Sequence, residues 1–191
     1  MRDRARVLPR CLLAAVVLLG LPGCVSAPRS TAQFADELPA FLQVDEGLYR
    51  GGQPSPAGLR HLRQLGVQTV ISLRHGSRAT KEERWLVEQL GMRWVNIPMW
   101  YGWPPSQRQV DAFLAIATDN ASRPVFVHCR RGRNRAGIMV AIYRVVHQHW
   151  TPQRAYAEGR RLGLASWNFL TRHSIFHQSR RTLAGPMPLR S

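Results

Sequence analysis

The sequence predicts an α/β domain whose core is a mostly parallel sheet of four to five strands flanked by helices. Three observations carry this. Short runs rich in β-branched residues, such as "VQTVISLR" (67–74) and "RPVFVHC" (123–129), alternate with longer segments of helical spacing. Gly, Pro and Ser mark the boundaries between them. A chain of 191 residues, 45% of them apolar, can bury one ordinary core but hardly two. Regular helix–strand alternation of this kind buries the strands on both faces under helices.

Taken in order, the chain opens on a targeting segment. Arg2, Arg4, Arg6 and Arg10 precede an apolar run from 11 to 22, too short for the roughly 20 residues that a bilayer-spanning helix needs. Residues 1–23 read as a signal peptide, the alternatives being a plain secretory peptide or a short uncleaved anchor. "LPGC" (21–24) resembles the bacterial lipobox. That resemblance implies lipidation of Cys24, and Val25 in place of Asp resembles the outer-membrane sorting pattern. The expected location is the cell envelope, lipid-anchored and facing the periplasm, with the outer membrane favoured over the inner. Residues 24–40 form a polar tether, 41–185 the folded domain and 186–191 a disordered tail.

Within the domain, "LQVDEGLYR" (42–50) reads as a short hairpin or edge strand, and "GGQPSP" (51–56) as a turn with Ser55 as N-cap and Pro56 as first helical residue. Leu59, Leu62 and Leu65 space the first helix, which Gly66 ends. A strand (67–74) and a helix (80–91) follow, with Thr80 and Glu83 fitting a capping box. Next come a strand over 92–99, the loop "WYGWPP" (100–105), a helix from Ser106 and the buried strand 123–129. The run "RAGIMVAIYRVVHQHW" (135–150) is apolar enough to be a core helix. Pro152 starts another, and 168–183 reads as a final amphipathic one.

The formal charge of +16 rests on 26 Arg and one Lys, Lys81; loss of residues 1–23 would remove four Arg and one Asp and leave +13. The arginines are scattered through helices and no nucleic-acid motif accompanies them, so nucleic acid is not the expected partner. Of three cysteines, Cys11 would leave with the signal and Cys24 would carry lipid. Cys129 is then a lone thiol with no disulfide partner and too few neighbours for a structural metal. No metal or cofactor is expected, and the domain is expected to be a monomer.

Cys129 opens the stretch Cys-Arg-Arg-Gly-Arg-Asn-Arg between a buried strand and a core helix. In open α/β sheets ligands bind at the carboxyl ends of strands, and a loop running into a helix aims N–H groups and the positive dipole end at an anion. Gly132 lets the backbone close around that anion, and Arg135 offers a planar fork that matches phosphate oxygens. The same groups favour the thiolate, the nucleophilic form of cysteine.

His128-Cys129, Gly132 and Arg135-Ala136-Gly137 resemble the signature of the cysteine-dependent protein tyrosine phosphatase superfamily, in which His-Cys, five residues and Arg are usually followed by Ser or Thr and then Gly. "LYRGGQPSPAGLRHLRQLGVQTVISLR" (48–74) is similar to the atypical dual-specificity branch, with its bacterial and fungal–plant members. The resemblance spans roughly residues 45–165. It implies a phosphatase-type P-loop between the last core strand and the core helix, acting on phosphate monoesters of protein side chains or on inositol-type phosphates. Cys129 would be the nucleophile and Arg135 the transition-state clamp. Arg130, Arg131, Gly132, Arg133 and Asn134 would cradle phosphate, and His128 would orient the loop. Rhodanese-type sulfur carriers also use a cysteine loop, but their shorter loop calls for Arg where Asn134 stands.

Two departures stand out. The hydroxyl residue that helps phosphocysteine break down in the superfamily is Ala136 here. The loop that usually bears an Asp general acid, 100–105, has no carboxylate. Asp111 and Asp119 are the only acids between Glu88 and Cys129, with Asp111 the candidate and both fitting a helix surface. Acid-free chemistry favours good leaving groups, such as aryl phosphates and phosphoanhydrides. Arg133 occupies a position often held by Lys in relatives acting on inositol phosphates, which points to a substrate bearing several phosphates. Arg50, Gln53, Arg74 and His75 are expected at the rim, with Trp100, Tyr101 and Trp103 walling a pocket or packing on their own domain. A phosphatase is the leading reading. A catalytically weakened phosphate-binding pseudophosphatase is the alternative, and a basic lipoprotein adhering to anionic envelope polymers the third.

Overall fold

A computed structural model describes residues 36–165 and 169–184. The signal peptide, Cys24, the first part of the tether and the tail lie outside the described residues. Five strands, β1 (Leu42–Asp45), β2 (Leu48–Gly51), β3 (Thr69–Ser72), β4 (Arg93–Asn96) and β5 (Val125–His128), form one sheet in the order β1-β2-β5-β3-β4. Only β1 is antiparallel. The 42–50 segment is thus a hairpin in which β1 takes the edge and β2 the interior. Gly51 and Ser72 are both in register with His128, so the carboxyl ends of β2, β3 and β5 finish side by side.

The helices are α1 (Pro56–Gln64), α2 (Arg78–Gln89), α3 (Gln107–Ala117), α4 (Arg135–Val146), α5 (Pro152–Arg161) and α6 (Phe169–Ala184). Side chains of a strand alternate between faces, and in β5 both faces are apolar. Val125 and Val127 join Val110, Phe113, Met139, Ile142 and Ile175 beneath α3–α6. Phe126 joins Leu59, Leu62 and Val87 beneath α1 and α2. Burying a side chain of that size contributes about 1.5–3 kcal/mol. α4 is buried from Ala136 to Val145, as befits a helix enclosed by its neighbours.

Local signals set the helix starts. Ser55 Oγ accepts from Gly58 N (3.1 Å) with Pro56 in the first turn, and Ser106 with Gln109 closes a capping box. At α2 the expected box of Thr80 and Glu83 does not form. The cap is Ser77, whose Oγ accepts from Thr80 N (3.3 Å), so the helix starts two residues earlier than predicted. Glu83 is thereby carried into the second turn, on the i, i+3, i+7 face shared by buried Thr80 and Val87.

Candidate active site

The loop from Cys129 to Asn134 joins β5 to α4, and its shape is set by the turn after β2. Gly132 has φ +72°, and a Cβ there would stand 2.6 Å from Gly51 C and Gly52 N. Gly51, Gly52 and Gly132 therefore bring two backbones together at a distance no side chain permits. Cys129 N donates to Gly51 O (3.4 Å) and Gln53 N to Arg130 O (3.2 Å). Arg50, only 2% exposed, donates through Nη2 to Gly132 O and, at 3.5 Å, to Arg133 O. Burial draws the Arg50 pKa down from its ordinary value, opposed by the charges at Cys129 and Glu158. Arg50 was expected at the rim; it lies beneath the loop because β2 is an interior strand.

The loop's carbonyls are thus held from below. Among the described residues, no backbone N–H from Arg130 to Asn134 donates to a protein acceptor. α4 starts immediately afterwards with no side-chain cap at Asn134. Free N–H groups at a helix N-terminus are an anion site. They border a cavity of about 490 Å³ lined by Cys129, Arg130, Arg131, Arg133, Asn134 and Arg135, together with Tyr101, Gly163 and Ala165. A larger apolar hollow of about 590 Å³ lies between α1 and α2, but no nucleophile or arginine lines it.

Arg135 Nη1 donates to Leu73 O (3.0 Å) and Met99 O (3.2 Å), fixing the guanidinium at the ends of β3 and the segment after β4. Its Nε and Nη2 have no protein acceptor among the described residues. Asn134, expected as a phosphate ligand, spends its amide otherwise: Oδ1 accepts from Ala165 N (2.8 Å) and Nδ2 reaches Tyr101 Oη (3.4 Å). Only its backbone N–H is left for the cradle. Arg133 runs along Gly163, where a Cβ would be 3.0 Å from its Cδ. Arg130, Arg131 and Arg133 are exposed.

Strand alternation sends His128 to the α2 side, where Nε2 lies 2.7 Å from Glu83 Oε1 with both side chains buried. The contact is one of proximity: neither His128 Nε2 nor Glu83 Oε1 has a hydrogen-bond partner among the described residues. His128 Nδ1 is 3.4 Å from Cys129 O, and its ring stacks on Phe126 at 5.7 Å. The Glu83–His128 pair ties α2 to the residue before the nucleophile. Sequence reading missed it, although the buried face of Thr80, Glu83 and Val87 held the signal.

Gln53, Arg74 and His75, expected at the rim, are not among the residues lining the cavity; Gln53 touches the loop through its backbone N–H to Arg130 O. Arg74 donates to Gln53 Oε1, and the His75 ring meets Trp100 at 3.9 Å. Asp111 does not join the site: it is exposed on α3 and accepts from Gln107 Nε2 (2.6 Å). Asp119 bonds Ser122 and Ala121 just before β5, at the opposite end of the sheet. The cavity lining contains no carboxylate.

A parallel sheet ending in a cysteine loop of free N–H groups, capped by an arginine at the start of the next helix, defines a cysteine-dependent phosphatase. A family model described as a "DSP-PTPase phosphatase fused to NAD+ Kinase" matches residues 35–174. The dual specificity protein phosphatase TpbA of Pseudomonas aeruginosa strain UCBPP-PA14 is 33% identical over 162 residues, covering 81% of this chain and 72% of that protein. The inositol diphosphatase DSP4 of Arabidopsis thaliana is 26% identical over 136 residues, covering 65% and 64%. The Saccharomyces cerevisiae Siw14 catalytic core superposes with a TM-score of 0.63 at 22% identity, over 71% of this chain and 83% of that one. The chain belongs to the dual-specificity phosphatase family of the cysteine-dependent protein tyrosine phosphatase superfamily.

Proposed function

We propose that Cys129 Sγ attacks the phosphorus of a phosphate monoester while the N–H groups of residues 130–134 and the Arg135 guanidinium hold the equatorial oxygens. The P–O bond to the leaving group breaks as the S–P bond forms, and the departing oxygen takes its proton from water. Water then cleaves phospho-Cys129, releasing inorganic phosphate and restoring the thiolate. The observation that carries this reading is the cradle itself, five consecutive N–H groups without a protein acceptor around one thiol. Similarity to proteins named as phosphatases favours turnover over the pseudophosphatase alternative, since both readings need the cradle. Purified protein should hydrolyse an aryl phosphate, and Cys129→Ser should not.

The substrate class we infer is an aryl phosphate or a compound bearing several phosphates. The lack of a carboxylate in the lining supports leaving groups that depart without an acid, and exposed Arg130, Arg131 and Arg133 support more than one phosphate. Among relatives, a cysteine-to-serine form of TpbA is known in complex with phosphotyrosine, and the plant proteins are named inositol diphosphatases. We also propose an envelope location with Cys24 lipidated, on the strength of residues 1–24. Cys24→Ala should abolish processing and membrane attachment; unchanged processing contradicts it.

A further inference from the structure

We propose that the face carrying the P-loop docks on an anionic lipid surface, with the aromatic loop 100–103 entering the headgroup region. Among the described residues six large apolar side chains are exposed, and three of them belong to the loop that reaches the cavity through Tyr101: Trp100 (67%), Tyr101 (60%) and Trp103 (67%). Tyr101 lines the cavity and meets Asn134. The mouth is therefore bordered on the side of this loop by largely exposed apolar area.

Charge around the mouth has one sign. The segments 97–110, 129–137 and 159–165 hold seven arginines, 108, 130, 131, 133, 135, 160 and 161, and no Asp or Glu. Two acids border these segments in sequence: Glu158 is bonded to Arg144 through both oxygens (2.9 and 3.0 Å), and Asp111, exposed on α3, accepts from Gln107 Nε2 (2.6 Å). A soluble polyanion would satisfy the arginines and leave the tryptophans in water. A bilayer with anionic headgroups satisfies both, because Trp and Tyr settle at the boundary between headgroup and acyl chain while Arg stays among the phosphates. Docking of this kind places the cavity against phosphorylated headgroups and does not depend on whether Cys129 turns substrate over.

The test is tryptophan quenching by brominated acyl chains, with the full-length chain on phosphatidylcholine vesicles and on vesicles that also contain phosphatidylglycerol. Wild type should be quenched on the anionic vesicles and much less on the neutral ones, with salt weakening the effect. Trp100→Ala/Trp103→Ala should lose about half or more of the quenching, whereas Trp85→Phe should keep it. Thermal melts check that each variant folds, and Tyr101→Ala, which removes no tryptophan, should weaken quenching by itself. Equal quenching on both vesicle types, undiminished quenching in the double variant, or binding to a soluble polyphosphate with vesicles leaving the tryptophans unquenched would each overturn the proposal.

Discussion

At the scale of single residues, the nucleophile's surroundings were readable because chemistry fixes residue types at fixed spacing: Cys129, Gly132 and Arg135 stand where the sequence places them. What the sequence misassigned were side chains whose role depends on partners far along the chain. The Asn134 side chain resembled a phosphate ligand and instead clips the loop to Ala165 and Tyr101, leaving the backbone N–H to the cradle. Arg50 resembled a rim residue and instead props the loop from below. Ala136 is the residue expected to limit turnover. It is fully buried in the first turn of α4, where relatives usually place a hydroxyl that assists departure of the thiolate. Ala136→Ser should raise kcat about tenfold, the value of one hydrogen bond to a charged group, with KM rising in step so that kcat/KM is unchanged. Burst kinetics with an aryl phosphate should show faster dephosphorylation and an unchanged burst, and an unaltered kcat would remove Ala136 from the account.

At the scale of elements, apolar spacing and turn residues located the strands and helices from β1 to α6: α1 buries one face of period 3.6, whereas β5 and α4, buried all round, stood out as apolar runs between boundary residues. The start of α2 was misplaced because two residues of capping type, Ser77 and Thr80, compete there; Ser77 wins, and the shift carries Glu83 inward. That shift makes the tie between α2 and β5 through His128. Breaking a buried pair from one side strands the other group, so Glu83→Ala should cost about 3 kcal/mol in urea unfolding. Replacing both partners with apolar residues, as in Glu83→Leu/His128→Phe, should recover much of the loss. A cost below about 1 kcal/mol for the single variant would show that the contact contributes little.

At the scale of the whole molecule, the end of the sheet opposite the cavity is closed by a polar cluster that no motif announces, since its members come from β1, the loop before β5, and α4. Asp45 accepts from Gly47 N (2.9 Å), Arg123 Nη2 (2.8 Å), Tyr143 Oη (2.7 Å) and Gln148 Nε2 (2.8 Å). Burial pushes its carboxyl up, but the Tyr143 and Gly47 hydrogen bonds and the charges of Arg123 and Arg144 outweigh burial and hold it below the ordinary 3.8. Tyr143 responds in the other direction, pushed up to about 12 by burial and by Asp45. Because the folded pKa of Asp45 is the lower one, its contribution is complete above pH 3.8 and is lost as pH falls through the folded value. Asp45→Asn should be less stable than wild type at neutral pH, with the gap narrowing in acid, as urea midpoints across that range will show. This cluster holds the edge hairpin on α4, and the hairpin's far end supplies Gly51 and Gly52, so the frame and the cradle are one structure. The claim at the centre is that this cradle forms a phosphocysteine. The measurement that reaches it most directly is a quenched reaction with a ³²P-labelled aryl phosphate, followed by mapping of the trapped label. The account predicts label on Cys129 in wild type, none in Cys129→Ser, and inorganic phosphate released at the rate the label disappears; phosphate release by Cys129→Ser at the wild-type rate would contradict it.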